Sequence, residues 1–451
     1  LSAPRPKGAA QGADARATAA VALGAVLAGQ GNLKSQLERA FDAQESLSDL
    51  DRRFATQLAF GTARVALRLI PLLDSALKHP LKPRDQDVRA LMLSALYQIH
   101  WLGAAAPLCV NGAVDATRAL HKPWASKLVN AVLRKFPADL LAAGLAKQSP
   151  AEQSGLPPWW YAAWAKAWGP DLPALIDASN SEPPLTLRVD GDRDAVLKSL
   201  QDAGIKAVAG ALGAQAIYLP EGGAPASLPG FATGTLTVQD EGAQLITELL
   251  ELAPGQRILD ACAAPGGKAS AILATCKGLS LTAIDPAAHR VARLKETLAR
   301  TASAVKAGDA KVAVYCADAR VPGPWQGDSP FDRILVDAPC SGSGILRRQP
   351  DIRLLRTPEE LAKLRALQLG LLKALFPLLQ PGGRLVYCTC SVMPEEGEGV
   401  VKAFLSSEPA ARARPLPDRF GRLRGPGRQR LPTATGPDGF FYAVLEKEGD
   451  A

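Results

Sequence analysis

Between about residues 14 and 140 apolar side chains recur at helical spacing, and strand signal is slight. Phe54, Leu58, Gly61, Val65 and Leu69 share one helix face; Val88, Leu91, Ala95, Ile99 and Leu102 share a second; Leu128, Val132 and Phe136 share a third. Polar breaks near 30, 46, 80 and 122 divide the stretch, which predicts an all-α bundle whose stripes form its core. From about 235 the rhythm changes. Short apolar runs at 257–260, 281–285, 312–316, 331–337, 383–388 and 439–445 alternate with helical patterns, the longest over 358–378, which predicts a doubly wound parallel sheet of the Rossmann-like kind. Between these regions, strands at 185–189 and 216–219 flank a helix over 192–204 and form a small β-α-β unit. Ahead of it, Trp160, Trp164 and Trp168 recur every fourth residue, so they share a helix face and read as packing between domains in preference to base stacking. The first residues, rich in Pro, Gly and Ala, read as a disordered leader. The expected organisation is therefore multidomain: leader 1–13, all-α domain 14–147, linker and small α+β subdomain 148–234, and α/β domain 235–451.

Composition sharpens this only in part. A chain of 451 residues exceeds what one core usually fills, which agrees with several domains. A net charge of +8 favours a polyanionic partner without naming one. Arg52, Arg53, Arg64, Arg68, Lys122, Lys127, Arg134 and Lys135 dot the predicted helical surface, most as solvated charge, with one face able to track phosphate. The Arg-rich stretch from Arg412 to Arg430 reads as a loop, either a solvated insertion or an RNA contact. All seven cysteines except Cys109 lie in the second half, in no zinc-like spacing, the pattern of reduced thiols in a cytosol. The apolar run 17–29 after Arg16 is Ala-rich and lacks a clear cleavage site, so it reads as a first helix and not a signal peptide. Nothing has transmembrane length and hydrophobicity, and a cytoplasmic protein is expected.

The chemistry gathers at the predicted strand ends. Strand 257–260 runs into Asp260 and then a small-residue turn, Cys262, Ala263, Ala264, Pro265, Gly266, Gly267 and Lys268, where bare glycines let backbone approach a ligand. The turn departs from G-x-G-x-x-G, so a dinucleotide is not favoured. Asp285 ends the next strand, where an acid can hold a ribose diol; Asp318 follows the third, placed for an adenine edge; Asp337 ends the fourth. One such acid is often a turn or cap, but the series, with no Lys and Arg cluster to answer a pyrophosphate, suits a ligand with ribose and base but no phosphate. S-adenosylmethionine fits. Cys340, in Asp337-Ala-Pro-Cys, and Cys390, in Cys388-Thr-Cys-Ser, add two thiols in loops on the same edge; Cys388, Cys262 and Cys276 read as packing.

Taken together, DACAAPGGK, VDAPCSGSG and CTCS resemble the RNA cytosine-C5 methyltransferases of the NOL1/NOP2/Sun type, and SKLVNAVLRKF with the bundle before it resembles a NusB-like RNA-binding domain. The resemblance runs from about 14 to 447. It implies that residues 262–268 with Asp285, Asp318 and Asp337 surround S-adenosylmethionine, that Cys390 is the nucleophile and that Cys340 assists release. Spacing alone does not tell the two thiols apart. The implied chemistry is addition of a thiolate at C6 of cytosine, with Asp337 as the group serving N3 if its pKa is raised. The expected partner is RNA with an unpaired or flipped cytosine, most plausibly 16S ribosomal RNA; the expected state is a monomer, with no membrane and no metal. Transfer RNA as substrate, or a non-catalytic RNA-binding or antitermination factor, are the alternatives. The second leaves two thiols and four acids idle.

Overall fold

The computed structural model describes residues 12–302 and 310–449. The leader expected at 1–13 falls, through residue 11, outside the described residues, and the first helix, Ala13–Leu27, begins two residues later. The chain forms two compact units: one runs to Gly169 and takes back Leu346–Thr357, the other holds Pro170–Ile345 and the chain from Pro358 onward. The break after Gly169 lies beyond the expected boundary at 147, and those after Ile345 and Thr357 fall inside the expected α/β domain. The Trp-bearing helix Pro158–Trp168 groups with the helical unit, and so does a dozen-residue excursion from within the α/β part.

In the first unit the helices Leu33–Asp42, Asp49–Ala76, Gln86–His100, Ala106–Ala119, Ser126–Leu133 and Ala138–Ala146 follow Ala13–Leu27. Their starts are capped where the sequence supplies a short polar side chain: Asn32 accepts the Ser35 amide and Ser48 the Asp51 amide. The predicted stripes are the core, with Leu58, Leu69, Val88, Leu91 and Ala95 fully buried. Leu102 is the exception, exposed because its helix stops at His100. Trp160 and Trp164 are fully buried edge to face, centroids 6.0 Å apart, so neither is available for base stacking. Nor are Arg64 and Arg68 free surface charge. Arg64 donates to the Arg347 carbonyl at 2.9 Å, and Arg68 lies over Trp101, 5.4 Å from its centroid. The excursion 346–357 is bound in by specific bonds: Asp351 accepts the Leu33 amide at 2.8 Å, and buried Arg353 donates to the Arg64 carbonyl at 2.8 Å.

The second unit carries two sheets. In the smaller, β1 (Leu185–Val189), β2 (Val208–Ala209), β3 (Ala216–Leu219) and β4 (Leu236–Val238) pair antiparallel in the order β2-β3-β1-β4, with the helix Arg193–Asp202 after β1. The larger contains β5 (Arg257–Asp260), β6 (Ser280–Asp285), β7 (Lys311–Cys316), β8 (Phe331–Asp337), β9 (Leu379–Thr389), β10 (Ala411–Arg414), β11 (Arg422–Arg424), β12 (Gly427–Arg430) and β13 (Phe440–Lys447). Its order is β11-β12-β13-β9-β8-β5-β6-β7, with β10 also on β13. Five strands, β7 to β9 through the centre, are parallel. The sheet is not wholly parallel, because β13 enters antiparallel beside β9 and the last strands pair antiparallel beyond it. Alternation sorts the side chains: Ile258, Leu281, Leu335 and Val386 pack on one face, Leu259, Ile284, Val336 and Tyr387 on the other.

The Arg-rich stretch is accordingly not a loop. It builds β10, β11 and β12, and its arginines are engaged within the unit: Arg414 with Glu446 at 3.0 Å, Arg412 with Glu448 at 2.7 Å, Arg428 with Asp418 at 2.7 Å, Arg422 with Asp171 and Arg419 with Glu248.

Candidate active site

Parallel pairing brings the carboxyl ends of β5, β6, β7, β8 and β9 to one edge, with the order reversing between β5 and β8, and such a switch point opens a crevice. The turn after β5 is tightly held. Gly266 has φ 104°, and a Cβ there would meet Leu294 and Thr297 at 3.0 Å, so glycine is required for two reasons. Gly267 is less constrained, its nearest neighbour for a Cβ being Gln239 at 3.8 Å. Arg290 donates to the Ala264 carbonyl at 2.8 Å, and Arg188, buried in β1, donates to the Gly267 carbonyl at 2.6 Å and to Ser270 Oγ at 2.9 Å. The small sheet is thus stitched to the turn and the helix Gly267–Thr275. Ala263 and Ala264 are buried, Pro265 is exposed, and Cys262 packs against the core, with burial raising its thiol pKa.

The acids differ in how far they are satisfied. Asp260 is fully buried and neither carboxylate oxygen has a hydrogen bond of good geometry; burial first, then the charge of Asp337, pushes its pKa up to about 7 against the opposing pull of Lys268 and the nearby Cys262 amide. Asp285 is also fully buried. Its Oδ1 accepts the Ala287 amide at 3.1 Å, while Oδ2 lacks a hydrogen bond and lies 3.3 Å from Arg290 Nη2. Asp318 is half-exposed and gripped by Arg320, which donates through Nε at 3.0 Å and Nη2 at 2.7 Å and holds the carboxyl below its usual range. Asp337 has a partner that sequence reading missed: Lys268 Nζ lies 2.6 Å from its Oδ2. Burial is the largest single influence and works against the ammonium, yet the charge of Asp337, its hydrogen bond and the nearby Cys388 and Cys390 together outweigh it and the Lys268 pKa is raised.

The two thiols meet. Cys340 Sγ and Cys390 Sγ are 3.4 Å apart, both half-buried. Hydrogen bonding to Cys390, then burial, holds Cys340 well above the ordinary thiol range. Cys388 is buried within β9, its Sγ 3.4 Å from Asp337 Oδ1. Sequence reasoning also missed what lies beneath the thiols: Glu396, with Ser341, Ser343, Ser391 and Gln368, all buried and bonded to one another. The serine directly after each cysteine was the available signal. Among the described residues no group of His, Cys, Asp or Glu could hold a metal ion, and no helix is long and apolar enough to cross a membrane.

Comparison with known proteins agrees with this arrangement. The family described as 16S rRNA methyltransferase RsmB/F matches residues 247–446, the NusB family matches 13–137, and a ferredoxin-like domain of RsmF/B-like methyltransferases matches 156–224. The chain is 42% identical over 438 residues to ribosomal RNA small subunit methyltransferase B of Pseudomonas putida, covering 96% of this chain and 98% of that protein. It is 38% identical over 447 residues to the protein of the same name from Xanthomonas campestris, covering 97% and 98%. Among solved structures, that of PH0851 superposes with a TM-score of 0.78 at 21% identity, covering 99% of this chain and 100% of that one, which is a likeness of fold. A methyltransferase homologue from Pyrococcus horikoshii gives 0.56 at 25% identity over 66% of this chain and 100% of its own.

Proposed function

The chain belongs to the RsmB/F family of 16S rRNA methyltransferases, and on that premise we propose that it moves a methyl group from S-adenosylmethionine to C5 of an unpaired cytosine in small-subunit ribosomal RNA. The observation that carries the C5 reading is the thiol pair, 3.4 Å apart and beside the Lys268–Asp337 ion pair. Cytosine C5 is a poor nucleophile. It becomes enamine-like only after a nucleophile has added at C6, and a thiolate is suited to that task.

The crevice fits the cofactor. Asp285 Oδ2, buried without a hydrogen bond, suits a ribose hydroxyl; Asp260, with two such oxygens, suits a cationic group; Asp318 Oδ2 accepts one bond from Arg320 and keeps a lone pair for an exocyclic amine. Bound there, S-adenosylmethionine supplies an electrophilic methyl group on a sulfonium sulfur. The chain's own residues do the rest. Cys390, as thiolate, forms a bond to C6 while the C5=C6 π pair moves toward C5, and the Lys268–Asp337 pair provides the proton needed at N3. Cys340 keeps its proton while its S–H has the Cys390 sulfur as acceptor. Once that sulfur is a thioether it is a weak acceptor, so Cys340 releases its proton to solvent more readily. As thiolate it then removes the C5 proton, the C–H electrons restore C5=C6, Cys390 leaves as thiolate, and the N3 proton returns to the Lys268–Asp337 pair. A base stacked in a duplex cannot be reached in this way, hence an unpaired or flipped cytosine.

The test uses the full chain with isotopically labelled S-adenosylmethionine and either 16S ribosomal RNA or transfer RNA, followed by bisulfite mapping. Label at C5 of a cytosine in the ribosomal RNA is expected. Label only in transfer RNA would move the substrate and keep the chemistry; label on another base, or none, would remove the C5 reading.

A further inference from the structure

The turn after β8 carries Cys340 followed by Ser341, and the turn after β9 carries Cys390 followed by Ser391. One buried carboxylate takes hold of both. Glu396 Oε1 accepts the Ser341 amide at 2.7 Å and Gln368 Nε2 at 3.1 Å; Oε2 accepts the hydroxyls of Ser341 and of Ser391, the latter at 2.6 Å. Burial raises the Glu396 pKa while the bonds from Ser341, Ser391 and Gln368 oppose it, and in the carboxylate form these four donors fill its four lone-pair sites. With both hydroxyl protons aimed at Glu396, Ser391 Oγ is left as an acceptor, and it takes the Met393 amide at 3.0 Å and the Ser343 hydroxyl at 2.9 Å. Ser343 Oγ in turn accepts the Val392 amide at 2.8 Å, the Gly344 amide donates to the Cys390 carbonyl at 2.9 Å, and Gln368 also donates to the Pro339 carbonyl at 2.8 Å. From behind, Tyr387 Oη donates to the Glu396 carbonyl at 2.6 Å.

We propose that Glu396 is a positioning residue for methyl transfer, a clamp that fastens the two thiol-bearing turns to each other and sets the separation of Cys340 and Cys390. The proposal rests on the assignment of both thiols to one reaction. Its charge has a second effect: after the hydrogen bond to Cys390, burial and the charge of Cys390, Glu396 adds to the forces that keep Cys340 protonated. The clamp therefore fixes distance and also disfavours the thiolate on one side of the pair.

Glu396→Ala removes both bridge and charge, whereas Glu396→Gln keeps the shape and removes the charge; its amide oxygen can still accept both serine hydroxyls, while its NH2 takes the place of the oxygen that accepted from the Ser341 amide and Gln368. Two readouts are taken on the full chain: steady-state kinetics, and alkylation of each cysteine by iodoacetamide across a pH series, followed by mass spectrometry. For Glu396→Ala, kcat falls about 10²-fold, as misplacement of reacting groups by about an ångström costs, while KM for S-adenosylmethionine stays within about threefold. Glu396→Gln recovers at least about a tenth of the wild-type kcat, and the alkylation profile of Cys340 moves to lower pH. An unchanged kcat in Glu396→Ala, a parallel change in kcat and KM, or a glutamine variant no better than alanine would overturn the clamp. Should Glu396→Ala fail to fold, the glutamine variant decides through the Cys340 profile: a downward shift supports the proposal and an unshifted profile sinks it. That readout needs no RNA, so it stands even if no RNA is methylated and the proposed function fails.

Discussion

Two sets of buried carboxylates sit at the same edge of the large sheet and are treated in opposite ways. Asp260 and Asp285, at the ends of β5 and β6, are fully buried with three oxygens between them lacking a hydrogen bond. Glu396, below the ends of β8 and β9, is as deeply buried and has four donors. A buried carboxylate oxygen left without a hydrogen bond is costly, and such an atom is suited to a ligand that completes it. A carboxylate whose four acceptor sites are all filled is held in place, and with it the turns that carry Cys340 and Cys390. Under the proposed function, the difference separates a half of the crevice that receives the cofactor from a half that holds the thiols.

The largest expected effect tests whether covalent chemistry belongs to the thiol half. Cys390→Ala loses at least about 10⁴-fold in methyl transfer and forms no adduct. Cys340→Ala still attacks and transfers methyl, then stalls as a protein–RNA species stable to denaturing electrophoresis. One gel with both variants, RNA and S-adenosylmethionine checks this; a retarded band from Cys390→Ala with none from Cys340→Ala would exchange their roles.

Asp260 tests the cofactor half through pH. Its folded pKa, about 7, lies above the unfolded value of about 4. Between the two the folded chain binds a proton that the unfolded chain has lost, so this residue's contribution makes stability fall as pH rises from about 4 to 7. Asp260→Asn should then stabilise the protein near pH 8 by on the order of 3 kcal/mol and change little near pH 4. Thermal melts at both values decide, since an equal gain at the two would mean that Asp260 carries no such penalty.

Asp285→Ala should weaken S-adenosylmethionine by about tenfold to a hundredfold while Tm stays close to wild type, measured by calorimetry. Unchanged affinity in a folded variant removes Asp285 from the site. The smallest effect is expected where charge is already paired at the surface. Arg422→Ala, which frees Asp171, should move Tm by no more than about 1 °C and leave the salt dependence of RNA binding unaltered. A shallower salt slope would make the arginine-rich strands an RNA contact.

What the sequence discloses follows from the range of the forces involved. The helical bundle and the parallel strands are local patterns, periods of 3.6 and 2, and Asp285, Asp318 and Asp337 stand out because each sits where a run of apolar residues stops. Strand direction has no such local sign, so β13 was indistinguishable from a further parallel strand. The arginines of 412–430 alternate with glycine and proline and look like a loop; their partners, Asp171, Glu248 and Glu446, are far off in the chain. The Lys268–Asp337 pair spans 69 residues and the Ser341–Glu396 bond 55, distances over which no spacing rule operates. Glu396 itself lies in a short Pro-Glu-Glu-Gly-Glu run that reads as solvated charge.

The excursion Leu346–Thr357 bears on how the protein is made. Its Asp351 bonds to Leu33 and its Arg353 to Arg64, so the helical unit lacks a structural piece until a segment encoded some 180 residues beyond Gly169 has been synthesised. At synthesis rates of about 5 to 20 residues per second that is on the order of ten seconds or more. During that interval the amino-terminal helices must persist in an incomplete form, with nascent chain of the other unit emerging behind them. The two units therefore cannot mature strictly in order of synthesis, and neither can be excised at one cut as an autonomous module.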